Sequence, residues 1–277
     1  MESNPPEPPA RALSFLAAAF WTLLVAVFLN GMMVAIESVH PGALLDVVTG
    51  ATCKLLAYSV VFFIILRIHE PESSIRHVLA LRRPPVSLVI LGAAVGAGLS
   101  PAAMWLDGVF ARRYPASQLE TETLERIFAA PTIGKKIALL VALVVVMPIC
   151  DELFFRGALF TPLKRGRRAE SVIVATAAYD TLLGGASARE LVSMLATALA
   201  ISWIRAVSGS VFPSVAARMV FFGVQVVPMV LARELKVTAV HALGGVALAA
   251  ASLAGIAAIG RRSERVREAR ARAEEGE

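Results

Sequence analysis

Two adjacent carboxylates and an arginine stand at the end of a long apolar run, in the segment PICDELFFRGALF (148–160). On a helix, Glu152 and Arg156 are four residues apart and share a face, whereas Asp151 points about 100° away. A partly desolvated carboxylate has the raised proton affinity that a general base needs, and a neighbouring arginine can hold it in place. The same spacing also fits a salt bridge at the end of a membrane helix, with both side chains reaching water. The spacing by itself leaves both interpretations open.

The composition identifies the element that carries these charges as a membrane helix. Of the residues, 57% are hydrophobic and 17% are charged, and the mean hydropathy is +0.70, whereas soluble domains have about 25% charged residues. The apolar residues form runs close to the ~20 residues that a bilayer-spanning helix needs. We therefore predict an all-α, polytopic transmembrane helical bundle in contact with the lipid bilayer. Arginine-rich loops account for the net charge of +6, so no nucleic-acid partner is predicted.

The apolar runs predict about eight spans, of which the fifth and sixth are short or interrupted by small residues. They lie at roughly 12–36, 43–66, 86–106, 136–156, 171–185, 190–207, 211–232 and 237–260. Three regions follow: a disordered cytoplasmic tail over 1–11, the bundle over 12–260 and a basic cytoplasmic tail over 261–277. Both cysteines, Cys53 and Cys150, lie within apolar runs, so neither a disulfide framework nor a zinc knuckle is expected.

The distribution of basic residues between the loops orients the bundle. The loops on one side carry more arginines, at Arg67, Arg76, Arg82, Arg83, 164–168, Arg205 and the C-terminal tail. By the positive-inside rule this side faces the cytoplasm, so both termini are predicted to be cytoplasmic. The acidic pair then lies toward the cytoplasmic end of the fourth span, within reach of a cytosol-facing cavity. Arg156 is expected to lie nearer the cytoplasmic water than Arg218.

The segment DELFFRG (151–157) resembles the first motif of the CPBP family of intramembrane proteases, which includes the CAAX prenyl endopeptidases. That motif has two glutamates, three further residues, an arginine and usually a glycine. A second segment, ISWIRAVSGSVFPSVAARM (201–219), resembles the family's later pair of helices around a Gly-Ser turn. The resemblance covers about residues 130–235, and it implies an eight-span bundle with an intramembrane endopeptidase site.

The resemblance assigns catalytic roles to the three charged residues of the first motif. Glu152 would be the base that activates water. Asp151 takes the place of the first glutamate with a side chain one methylene shorter, and Arg156 would orient both carboxylates.

Both histidines of the family pattern are absent. The second motif, an aromatic residue followed four positions later by histidine, matches Tyr179 and Leu183, so that leucine stands at the histidine position. In the third motif Arg218 takes the histidine position, and Phe222 or Phe221 takes the position of a polar residue. The histidines would provide metal ligation or oxyanion contacts, which leucine and phenylalanine cannot do. The chain's own histidines do not restore the pattern; they are His40, His69, His77 and His241.

Two unexpected charges lie in the spans that should carry the missing histidines. Asp180 follows Tyr179 in the fifth span, and Arg218 lies in the seventh. Because charges within spans usually pair, we predict an ion-pair network that fills the site; its members are Asp151, Glu152, Asp180, Arg156 and Arg218, with Tyr179 beside them. The alternative is that Asp180 and Arg218 reach opposite aqueous surfaces.

Other polar features have structural interpretations. Asp46 and Lys54 lie eight residues apart in the second span and could interact through water. The segment ASQLETETLERIF (116–128) has apolar residues at helical spacing, which fits either a helix along the outer interface or a solvated loop.

The sequence therefore predicts a degenerate copy of a CPBP-type protease, which binds a membrane peptide or protein with little or no cleavage. The alternatives are an active intramembrane endopeptidase with Glu152 as general base and, outside the family, a small transporter. No cofactor is expected in this copy, although an active site would call for a divalent metal such as zinc. The predicted location is a bacterial-type inner membrane or plasma membrane.

Overall fold

The protein is a bundle of helices in a computed structural model that describes residues 12–184, 187–233 and 235–274, with side chains as far as residue 262. No strand occurs in these ranges, which confirms the all-α prediction. The helices are α1 Phe15–Val39, α2 Val47–His69, α3 Ile75–Val78, α4 Val86–Ala111, α5 Gln118–Phe128, α6 Ile133–Lys164, α7 Ala169–Leu183, α8 Leu191–Ser208, α9 Phe212–Val230 and α10 Ala239–Glu274. A 3₁₀ turn, Ala43–Leu45, precedes α2. The predicted tail at 1–11 lies outside the described residues.

Several helices begin where a side chain satisfies the free amides of the first turn. Ser14 accepts a hydrogen bond from the Ala17 amide at the start of α1. Ser117 and Glu120 form a reciprocal capping box at the start of α5, and such caps contribute about 1 kcal/mol. The segment predicted as either an interfacial helix or a solvated loop is therefore a capped helix of 11 residues.

Seven helices of the described chain are long and apolar enough to cross a membrane. The fifth predicted span, α7, has only 15 residues and so spans about 22 Å, against a hydrocarbon core of about 30 Å. Seven helices of this length thus stand against about eight predicted spans, and the one that falls short is a span already predicted to be short. The chain nevertheless crosses the bundle between α6 and α8, because α8 runs parallel to α6 and so begins at the opposite face from the one where α6 ends. The Arg205 side chain near the end of α8 donates a hydrogen bond to the carbonyl of Arg156, 2.8 Å away, and Ser193 near its start donates to Asp107.

The two ends of the bundle lie at one face, which we call the terminal face. Arg167, in the connection between α6 and α7, donates to the carbonyl of Leu13. Arg165, in the same connection, forms an ion pair of 2.6 Å with Glu70 at the end of α2. The α10 backbone at Gly260 packs against Val207 near the end of α8. We call the opposite face, which carries α5 and the connection between α7 and α8, the distal face.

Glycines in α4 position α9, the helix that carries Arg218. A Cβ atom at Gly92 or Gly96 would overlap the carbonyl oxygen of Pro213 or of Ala217. Because small residues allow backbones to approach this closely, α9 packs directly onto α4.

The helix α6 departs from regular α-helical geometry on both sides of the acidic pair. Two π-helical segments, Val141–Val146 and Leu153–Leu159, flank a regular segment, Met147–Glu152. Segments of π-helix occur frequently at functional sites, and here they bracket both carboxylates.

We predict that reporter fusions after residue 165 and at the C-terminus will report the same side of the membrane, because both positions belong to the terminal face. The arginine-rich loops of this face make the cytoplasm the expected side. Opposite locations for the two fusions would contradict the even number of crossings.

Candidate functional site

Arg218 lies at the centre of a cluster of charges from four helices. Its Nε atom is 2.7 Å from Oε1 of Glu152 on α6, and its Nη1 atom is 3.4 Å from Oδ2 of Asp151. Its Nη2 atom pairs with Oδ2 of Asp180 on α7. One guanidinium thus contacts three carboxylates.

Arg156 binds two of the same carboxylates from the side of the terminal face. Its Nη1 atom is 3.3 Å from Oε1 of Glu152 and also pairs with Asp180, while Nη2 donates to the carbonyl of Ala198 on α8, 2.8 Å away. Arg156 is 0% exposed and Arg218 is 7% exposed. The expectation that Arg156 lies nearer to water is therefore wrong, because α8 packs over it.

A sixth charge, Lys54 on α2, completes the cluster, and the sequence analysis missed its partner. Its Nζ atom lies 2.8 Å from Oδ1 and 2.9 Å from Oδ2 of Asp151. The hydroxyl of Tyr58, one turn later, donates to the same Oδ1 at 3.0 Å. The sequence did contain an indication of this contact: a single lysine in an apolar span, followed four residues later by a tyrosine.

The predicted partner of this lysine has a different role. Asp46 caps the first turn of α2, where its Oδ2 accepts hydrogen bonds from the amide and the hydroxyl of Thr49. The hydroxyl bond lowers the pKa of the Asp46 carboxyl. The suggested interaction between Asp46 and Lys54 is not formed.

On α7 the structure separates two residues that the sequence analysis placed together at the site. Asp180 faces the arginines, whereas the hydroxyl of Tyr179 donates to the carbonyl of Phe15, 2.8 Å away. Leu183 packs against the apolar core around α1 and α6. The α7 side chain that reaches the cluster is therefore Asp180, and the side chain of Leu183, at the predicted histidine position, points elsewhere.

The charges of the cluster cancel. Three acids (Asp151, Glu152 and Asp180) meet three bases (Lys54, Arg156 and Arg218). Such a buried network is not necessarily more stable than apolar packing, but removing one member leaves an uncompensated charge. Each charged residue of the cluster therefore depends on the others, because the loss of one would leave a buried charge without a partner.

A cavity of about 200 Å³ lies beside the cluster. Its polar lining includes Lys54, Asp151, Asp180 and Arg218 but not Glu152, and its apolar lining includes Leu143, Met147, Met194 and Phe222. Met194 near the start of α8 and the exposed Gly184 at the end of α7 place the cavity between the cluster and the distal face. The cavity thus lies away from the termini, whereas the sequence predicted a cavity that faces the cytoplasm, the side predicted for both termini.

Residues 133–224 match the family model described as type II CAAX prenyl endopeptidase Rce1-like. This part of the chain is therefore similar to CAAX-type proteases, and the described residues around it form seven helices long and apolar enough to cross a membrane. The matched range extends from the start of α6 into α9, which confirms the resemblance to CAAX-type proteases. It contains every charged member of the cluster except Lys54. The comparisons with curated proteins and with solved structures gave no match.

The residues of this site do not fit a zinc ion. The described residues contain no group of three histidine, cysteine or acidic side chains that could hold a metal. The three carboxylates that approach one another already bind arginine or lysine, and arginine keeps its charge even when buried. A divalent cation would have to lie against these cations without the nitrogen or sulfur ligands that zinc prefers. His241 lies elsewhere, where its Nδ1 accepts a hydrogen bond from the Thr238 amide.

We predict that Arg218→Leu will lower the stability of the folded protein by roughly 3–5 kcal/mol, because it leaves three buried acids with only two bases. Adding Asp180→Asn restores the charge balance and should recover part of this loss. Thermal unfolding in detergent measures both effects.

The more exposed pair of Arg189 and Glu190, 3.8 Å apart, provides the control for this experiment. Arg189→Leu should change stability by less than about 1 kcal/mol. Equal losses for Arg218→Leu and Arg189→Leu, or simple additivity in the double variant, would show that the cluster is not coupled.

We predict that a cysteine at Met194 will react with a membrane-impermeant maleimide only from the distal side. The unchanged protein is the blank, since its two cysteines, Cys53 and Cys150, are both buried. Arg168→Cys, at an exposed position on the terminal face, should react only from the other side. Labelling of both variants from one side would contradict the position of the cavity.

Proposed function

We propose that this CAAX-type protease homologue binds a membrane-associated peptide or protein without cleaving it. The proposal rests on the surroundings of Glu152, the residue at the position of the family's general base. Its side chain is 0% exposed, it does not line the cavity, and one of its oxygens lies close to both arginines. A general base must contact the water that it activates, and Glu152 has no such access.

The remaining groups also oppose amide hydrolysis. Cleavage develops negative charge on the carbonyl oxygen, which must be stabilised by donors or cations. The α7 residue that faces the site is Asp180, whose carboxylate repels such a charge. Arg218 could stabilise an oxyanion, but its guanidinium is already shared among three carboxylates.

The features that remain are those of a binding site within a membrane protein. The cavity combines a polar end with walls of methionine, leucine and phenylalanine side chains, as small-ligand and peptide sites commonly do. We place the protein in an inner or plasma membrane with cytoplasmic termini, because of the arginines on the terminal face.

We predict that the purified protein in lipid nanodiscs will not cleave prenylated CAAX peptides or membrane-tethered peptides above the level of its Glu152→Gln variant. Mass spectrometry of the peptides over time measures cleavage directly. Glu170→Gln, an exposed substitution at the start of α7, is the control for unspecific effects of losing a carboxylate.

Sustained cleavage by the unchanged protein and by Glu170→Gln, but not by Glu152→Gln, would overturn the proposal. The protein would then be an active endopeptidase with Glu152 as its base, and the arginines would have to move during the reaction.

A further inference from the structure

The cavity beside the cluster offers hydrogen-bonding groups that the protein does not use. Both arginines pair with Oδ2 of Asp180, and Oδ1 accepts no hydrogen bond from the described part of the chain. Thr197 also lines the cavity, is 6% exposed, and its hydroxyl has no partner among the described residues. Both residues line the cavity, so an occupant with both a donor and an acceptor can bind them there.

Lys54 provides the donor on the opposite side of the same polar end. Its Nζ atom donates to Oδ2 of Asp151 and lies 2.8 Å from Oδ1, and because an ammonium group has three N–H donors it can also donate to a ligand. An acceptor atom of an occupant can therefore bind Lys54 or Thr197 while a donor binds Asp180.

The balance of charge limits what this occupant can be. The three acids and three bases of the cluster cancel, so an ion that enters the cavity would have no counter-charge of its own. Burying an unpaired charge is costly, whereas a neutral polar group that gains hydrogen bonds is not. The occupant is therefore neutral at its polar end.

The remaining walls require an apolar body attached to this neutral group. Leu143, Met147, Met194 and Phe222 contribute the hydrophobic lining, and methionine side chains adapt to ligands of different shape. A cavity of about 200 Å³ has room for one residue-sized group and not for a longer segment.

We propose that this cavity binds the neutral amide group of an apolar peptide residue that enters from the distal face. The amide N–H donates to Oδ1 of Asp180, and the amide oxygen accepts from Lys54 or Thr197. This inference rests on the proposed function, since it names the part of the bound peptide that the site recognises and the face from which it arrives.

The test uses the full-length protein in nanodiscs and three small probes: N-acetyl-leucinamide, which is neutral; leucinamide, which is cationic; and N-acetyl-leucine, which is anionic. Saturation-transfer NMR with titration measures binding. We expect saturable binding of the neutral amide and at least about tenfold weaker binding of both charged probes.

Two variants locate the binding. Thr197→Val keeps the shape of the side chain but removes the hydroxyl, and it should weaken binding by about three- to tenfold, as expected for one hydrogen bond. Met194→Trp fills the cavity and should abolish binding. Met229→Trp, at an exposed position on α9, is its matched control for lipid partitioning and should bind the amide normally.

The proposal is overturned if the unchanged protein shows no saturable binding of N-acetyl-leucinamide, if a charged probe binds as well, or if Met194→Trp still binds it. These outcomes are distinct from a failure of the proposed function. Peptide cleavage with amide binding would refute only the absence of catalysis, and absence of both cleavage and amide binding would refute only the assignment of the ligand.

Discussion

The contact of the Arg218 guanidinium with three carboxylates constrains the rest of the site. An arginine within a membrane bundle keeps its proton and must be neutralised by acids at short range. Asp151, Glu152 and Asp180 meet this requirement only if α6, α7 and α9 approach one another at one depth. The glycines of α4 permit this approach, because they let the α9 backbone pack without intervening side chains.

The cluster also explains how charged residues are retained in the two helices whose family motifs contain histidines. A histidine can be neutral within a bundle, but Asp180 or Arg218 alone would leave an uncompensated charge. Together they form an ion pair that links α7 to α9, and Arg156 and Lys54 neutralise the two acids of the first motif. The result is a strongly polar interior in which the arginines and the lysine bind the three carboxylates.

The same arrangement separates the motif from the space available to a ligand. Glu152 lies within the cluster, whereas the cavity contacts Asp151, Asp180 and Lys54. Because α8 covers Arg156 through the carbonyl of Ala198, the terminal face is closed at this depth. The cavity is left on the distal side, and the proposed binding function rests on this separation of Glu152 from the cavity.

The sequence by itself determined the class of protein, the positions of the long helices and the first motif, since these depend on local hydropathy and on short-range spacing. It also indicated that Asp180 and Arg218 needed partners, because buried charges pair. Only the tertiary structure decided which partners they have. Lys54 and Asp151 are 97 residues apart, and the choice of Asp180 over Leu183 depends on the rotation of α7 about its axis. The side on which the cavity lies depends on the packing of α8 over Arg156. Such contacts join distant parts of the chain, and no local pattern specifies the rotation or depth at which two helices meet.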